Sequence, residues 1–178
     1  MKRSVCVVAA ASLVLVLAVP AFAQKTSGDV VDDAGIAATI KAGLFDNKNT
    51  SAGKINVESY KGVVQLSGFA TTQAEKDAAE KIARGAAGVR EVHNSIGLQP
   101  STSLGTKLDD SIITGQVKAA LMDSADIKSM QINVETRNGV TQLAGFVTSA
   151  AMKERAGKVA AGIDGVMRVD NVLIVKPQ

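Results

Sequence analysis

Apolar positions along this chain fall into two rhythms that recur in the same order twice. Ile36, Ile40 and Leu44 repeat at helical spacing behind Asp32 and Asp33, residues suited to capping a helix start. Ile113, Val117 and Leu121 do the same behind Asp109 and Asp110. A strand rhythm then takes over, with Ile55 to Tyr60 and Val63 to Ala70 flanking Lys61-Gly62. The second copy has Asn138-Gly139 at that point, a preferred dipeptide for a two-residue type I′ turn, so both predict hairpins. Thr71 or Thr72 opens a helix running to about Arg84, and Thr148 or Ser149 opens its counterpart. Gly88 and Gly165 follow those helices, and final strands are expected over Val89 to Leu98 and Val166 to Val175.

The recurrence is a duplication. A shift of 77 residues aligns Asp33–Pro100 with Asp110–Pro177 without a gap, and roughly 28 of about 68 pairs are identical. A two-residue turn pairs Tyr60 with Val63, Val57 with Leu66 and Ile55 with Gly68, which puts Ile55, Val57, Val64, Leu66 and Ala70 on the core face. The strand-helix-strand step that follows favours a right-handed crossover and a parallel pair. The expected fold class is α+β: two tandem α-β-β-α-β modules, each a three-stranded mixed sheet with two helices on one face. Their expected bounds are 32–100 and 108–177, joined by a Ser-, Thr- and Gly-containing linker at 101–107.

Ahead of the repeats, Lys2 and Arg3 precede an uncharged apolar run from Val5 to Val19, then Pro20 and Ala21-Phe22-Ala23. This layout predicts a secretory signal peptide over 1–23, cut before Gln24. The run, roughly 15 residues, is short of the roughly 20 that a spanning helix needs. Cleavage alters the composition. Of the 178 residues, 46% are hydrophobic, and the formal charge is +3 with a pI near 9.0. Losing Lys2 and Arg3 leaves 18 basic against 17 acidic residues, so bulk charge cannot drive binding to a polyanion. Cys6 leaves too, removing any disulfide, thiol nucleophile or thiolate ligand. An aromatic content of 3%, with no Trp, gives no stacking platform, and no nucleic-acid partner is expected.

Three repeated motifs carry a family likeness: the hairpin glycines, the strand Val64-Gln65-Leu66-Ser67-Gly68, and the ending Gly88-Val89-Arg90-Glu91-Val92-His93-Asn94, matched by Gly165 to Asn171. With these the chain resembles the BON domain family, over nearly all of the chain beyond the leader. The resemblance implies a non-enzymatic periplasmic protein concerned with envelope integrity and osmotic stress, and binding to anionic phospholipid. It also implies, as an alternative, a chaperone-like role toward secreted or outer-membrane proteins. The absence of a cysteine at the expected cleavage point sets the chain apart from lipid-anchored members.

No catalytic constellation, metal site or cofactor is expected. His93 is the sole histidine and is replaced by Asp170 in the second copy. Asp109-Asp110 read as helix caps, and the spacing of Asp123 and Asp126 does not fit a calcium loop. The informative residues are those in which the copies differ. Met122, Met130, Met152 and Met167 all lie in the second, and its first helix has a second apolar stripe, Leu108, Ile112, Ala119 and Met122, expected beside its core stripe. The first copy has Val31, Gly35, Ala42 and Phe45 at those places. With Lys118 and Lys128 alongside, Leu108, Ile112 and Met122 are the expected contact with anionic phospholipid or the outer-membrane surface. The alternative is that these side chains fill a core or pack against the other module. The outer sheet face bears Val63 and Phe69 in one copy and Val140, Ala144, Phe146, Val172 and Ile174 in the other. Such a face suggests contact between modules, self-association, or the capture of unfolded exported proteins, with Val140, Phe146, Val172 and Ile174 as its expected residues.

Overall fold

The protein is described by a computed structural model covering residues 28–99, 104–124, 127 and 132–176. The expected leader, Lys128 and Met130 lie outside the described residues. Module one runs α1 (Gly28–Asp46), a 3-10 turn (Ala52–Lys54), β1 (Ile55–Tyr60), β2 (Val63–Ala70), α2 (Gln73–Gly85), β3 (Glu91–Asn94) and β4 (Gly97–Leu98). Module two repeats it as α3 (Leu104–Asp123), β5 (Ile132–Arg137), β6 (Val140–Val147), α4 (Ala150–Ala161), β7 (Arg168–Asn171) and β8 (Ile174–Val175).

The hairpins form in the expected register, with Tyr60 opposite Val63, Val57 opposite Leu66 and Ile55 opposite Gly68. Both turn residues adopt left-handed backbone in each copy (Lys61 φ 52° and Gly62 φ 77°; Asn138 φ 51° and Gly139 φ 72°), as a type I′ turn demands. The parallel partner of β2 is β3, and β6 takes β7 likewise. The expected final strand is interrupted, because β4 also pairs with β2 in parallel beyond a break at Ser95-Ile96. The asparagine that ends the repeated motif holds this break. Asn94 Nδ2 donates to Lys76 O on α2 at 3.2 Å and to Glu80 Oε2 at 2.9 Å, while its Oδ1 accepts from Ile96 N at 3.3 Å. Ile96 thereby turns into the core at 1% exposure, and Asn171 does the same for Leu173.

Each core is the one that the periodicity drew. Ile36, Ile40 and Leu44 of α1 meet Ile55, Val57, Val64, Leu66 and Ala70 of the sheet, with Ala79 and Ala83 of α2 beside them. Thr72 caps α2 through Glu75 N, and Glu75 reaches back to Thr71 N at 2.9 Å, so two orphan donors at the helix start are satisfied. Ser149 caps α4 through Met152 N.

Two expectations at the first helices are corrected. Neither Asp33 nor Asp110 is a cap: α1 begins at Gly28 and α3 at Leu104, so both aspartates lie inside helices. The same start makes 104–107 of the expected linker helical, since no proline stops the helix from extending upstream. The carboxylates serve the hairpins instead. Asp33 accepts from Lys61 N at 2.6 Å, Gly62 N at 2.9 Å and Ser59 Oγ at 2.7 Å. Asp110, 6% exposed, accepts from Asn138 N at 2.8 Å and Gly139 N at 2.9 Å. A tight turn leaves these N–H groups without ladder partners, and the aspartate supplies one.

Burial works against the charge on Asp33, but the donors from Gly62, Ser59 and Lys61 outweigh it and hold the carboxyl below its ordinary range. The stability it contributes is present above the unfolded value of about 4 and is lost as pH falls through the lower folded value. Asp33→Ala is expected to cost about 2 kcal/mol in urea denaturation at neutral pH, with the deficit shrinking in acid.

Candidate functional site

Two surfaces were singled out by the repeat: the outer faces of the sheets and the outer face of the second module's first helix. The sheets set where everything else points. Each sheet has its helices on one side only, and its other side packs against the opposite module, making four layers with a seam in the middle.

The seam is held by two glutamines at equivalent places, Gln65 on β2 and Gln142 on β6, exposed by 0% and 3%. Gln65 Oε1 accepts from Gly145 N at 2.7 Å, and its Nε2 donates to Val172 O at 2.6 Å. Gln142 Oε1 accepts from Gly68 N at 2.6 Å, and its Nε2 donates to Ser95 O at 2.8 Å. All four partners obey the 77-residue offset, so the two bond pairs are related by an approximate two-fold axis. Glycine is required at 68 and 145. Gly68 has φ 102° and Gly145 φ 123°, and a Cβ on Gly68 would lie 2.2 Å from the Lys54 carbonyl oxygen.

Around the glutamines the symmetry persists in place but not in chemistry. Tyr60 packs on Phe146 with ring centroids 5.6 Å apart, while the equivalent contact sets Arg137 over Phe69 at 5.7 Å. Lys176 also lies over the Tyr60 ring, its Nζ 5.0 Å from the centroid. Asn56 Nδ2 donates to Glu135 Oε2 at 3.1 Å. Ser67 Oγ, buried in the same face, has no hydrogen-bond partner among the described residues, and Ala144 stands at its repeat position. The face expected to be open to clients or to another copy is therefore covered. Phe146 is 5% exposed, and Val140, Val172 and Ile174 are half-buried. The residues that decide this outcome, Gln65 and Gln142, escaped the periodicity because it weighs apolar positions. The signal was available: a glutamine, twice, in a strand face bounded by Val63 and Phe69 or by Val140 and Phe146, three residues before a glycine.

Two acids on the outer faces share this burial. Desolvation raises Glu135 above the usual carboxylate value, against the pull of Arg137, Asn56, Lys118 and Lys54. Glu58, its repeat equivalent, is raised by desolvation against Lys41.

The other surface lies on α3. At about 100° per residue, Ile112 and Met122 each stand about 140° around the helix from Val117, nearly opposite the core. The expected stripe is thus on the far side of the helix, not adjacent to the core stripe. Ile112 is 59% exposed and Met122 67%, with Gly115, Ala119 and Lys118 exposed between and beside them. Leu108 falls within α3, but its side chain, like the whole of Lys128, is outside the described residues. The core-filling alternative applies to Met152, which packs against the second core, and not to Met122. In module one the exposed large side chain at the equivalent place is Phe45, 71% exposed. His93 is half-buried, with Nε2 at 3.2 Å from Glu91 Oε1. Among the described residues no group of three or more His, Cys, Asp or Glu could hold a metal ion. Nor is any described helix long and apolar enough to cross a membrane.

Comparison with known proteins matches the BON domain profile to residues 32–100 and 109–177. The chain is 36% identical to Osmotically-inducible protein Y of Escherichia coli over 84% of its own length and 75% of that protein's. It is 32% identical to the 21 kDa hemolysin of Actinobacillus pleuropneumoniae, covering 84% of this chain and 77% of that one. Identity to Outer membrane lipoprotein DolP of Haemophilus influenzae is 31%, covering 83% and 77%.

Two outcomes follow from the seam. Gln142→Leu leaves Gly68 N and Ser95 O unpaired in a buried face, and is expected to cost about 3 kcal/mol by urea denaturation. For Glu135, whose folded pKa is raised, the favourable contribution is complete below the unfolded value of about 4.3 and is lost as pH rises through the folded one. Glu135→Gln is therefore expected to melt at a higher temperature than the parent protein at neutral pH, with the difference closing toward about pH 4.

Proposed function

The chain belongs to the BON domain family, and from that premise we propose that it is an exported envelope protein that rests reversibly on anionic phospholipid surfaces through the outer face of α3. The observation that carries this reading is the exposure of Ile112 and Met122 on the side of α3 opposite its core, with Lys118 alongside. A helix lying in the headgroup boundary gains by burying such side chains, and each lysine near an anionic surface adds about 1 kcal/mol. Two large side chains, at about 2 kcal/mol each, give weak and reversible attachment, not a permanent anchor. The leader read over residues 1–23 supplies the route to the envelope. Relatives named as an osmotically inducible protein, an outer membrane lipoprotein and a hemolysin agree with work at an envelope or membrane. The role proposed is non-catalytic, in keeping with a lone histidine that has no counterpart in the second repeat.

Co-sedimentation with vesicles of phosphatidylglycerol, against vesicles of phosphatidylcholine, tests the reading. The protein is expected to pellet with the anionic vesicles only. Ile112→Asp should abolish pelleting while leaving the melting temperature unchanged, since the side chain is 59% exposed. Equal binding to both lipids, or to neither, would overturn it.

A further inference from the structure

The seam turns the helical layers of the two modules away from each other, so α1 and α3 face opposite sides of the molecule. Their last turns carry the same chemistry. Lys41-Ala42-Gly43-Leu44-Phe45-Asp46 on α1 stands where α3 has Lys118-Ala119-Ala120-Leu121-Met122-Asp123. Leu44 and Leu121 are buried, at 1% and 0%, whereas Phe45 and Met122 are exposed, at 71% and 67%. Phe45 stands about 140° around α1 from the core residue Ile40, as Met122 does from Val117 on α3. Lys41 is exposed one turn away from Phe45, as Lys118 is from Met122.

We propose that α1 is a second anionic-membrane contact, built on Phe45 and Lys41, and that one molecule bridges two bilayers through opposite ends of its four-layer body. The proposal rests on the reading of α3 given above, and it commits to a bilayer as the occupant of α1. The positive charge of Lys41 and of Lys48, exposed just beyond the helix, complements anionic headgroups. With layers spaced by about 10 Å, the two helices stand about 30 Å apart, so neither surface obstructs the other. Gly35 stands on α1 where α3 has Ile112, which makes the α1 contact the weaker of the two. Bridging is therefore expected only once α3 has gathered many molecules on one vesicle, so that their α1 faces engage a second vesicle together.

The test measures co-sedimentation and vesicle clustering on the same phosphatidylglycerol vesicles, clustering being read by turbidity and light-scattering radius. The unaltered protein is expected to pellet with vesicles and to cluster them. Phe45→Asp, at an exposed site, should still pellet but lose clustering, and Lys41→Glu should do the same by charge reversal. Ile112→Asp should lose both. Pelleting without clustering by the unaltered protein would overturn the bridge and leave the α3 reading standing; failure to pellet would overturn both. Clustering that survives in Phe45→Asp would also overturn it, because the link would then be two copies joined to each other.

Discussion

Two primary amides hold this molecule in one shape. Gln65 and Gln142 each use a carbonyl oxygen and an amino group across the seam, and each takes backbone partners that would otherwise be buried unpaired. An apolar seam of the same size could slide. A seam whose buried N–H and C=O groups find partners at only one setting cannot, because each lost partner costs the desolvation of a buried polar group. The glycines at 68 and 145 belong to the same device, since their backbone shape presents the N–H to the amide and leaves no room for a side chain. Once the seam is fixed, so are the directions of all four helices.

That constraint divides the duplicated sequence into conserved and diverged halves in a physically intelligible way. Residues shared by both copies serve the core, the hairpin turn and the seam: the Ile/Leu faces of α1 and α3, Asp33 and Asp110 under the turns, the asparagines at the strand breaks, and the glutamines. Differences gather where a single seam no longer demands both copies of a contact. Tyr60 against Phe146 and Arg137 against Phe69 occupy equivalent places with different chemistry. On the outward faces, Ile112 and Met122 replace Gly35 and Phe45. The outcome is a near-symmetric frame with unequal ends.

Much of the frame was legible in the sequence. A two-residue turn leaves one register for the hairpin, and helical spacing leaves one face for α1, so the order of elements and the core residues followed from local rules. The strand break at Ser95 leaves no mark in the sequence because the period continues through it; only the reach of Asn94 to α2 reveals it. The aspartates look like caps in the sequence because an acidic residue before an apolar run fits a helix start. The turn N–H groups that they accept from lie 28 and 29 residues away and become neighbours only when hairpin and helix pack.

The repeating unit is written in the chain: its fold, its duplication, its hairpin register, and a short list of surface residues with apolar or cationic character. These follow from interactions between near neighbours in the chain, whose spacing is fixed by helix and strand geometry. Which surface stays exposed depends instead on how the two modules pack. The apolar sheet faces and the stripe on α3 were equal candidates by composition. The sheet faces closed on each other because their glutamines and glycines are complementary across a two-fold axis, and α3 stayed open because its stripe lies on the side of the helix turned from both core and seam. Complementarity between segments about 77 residues apart leaves no period in the chain, so it could be read only after the two halves had met.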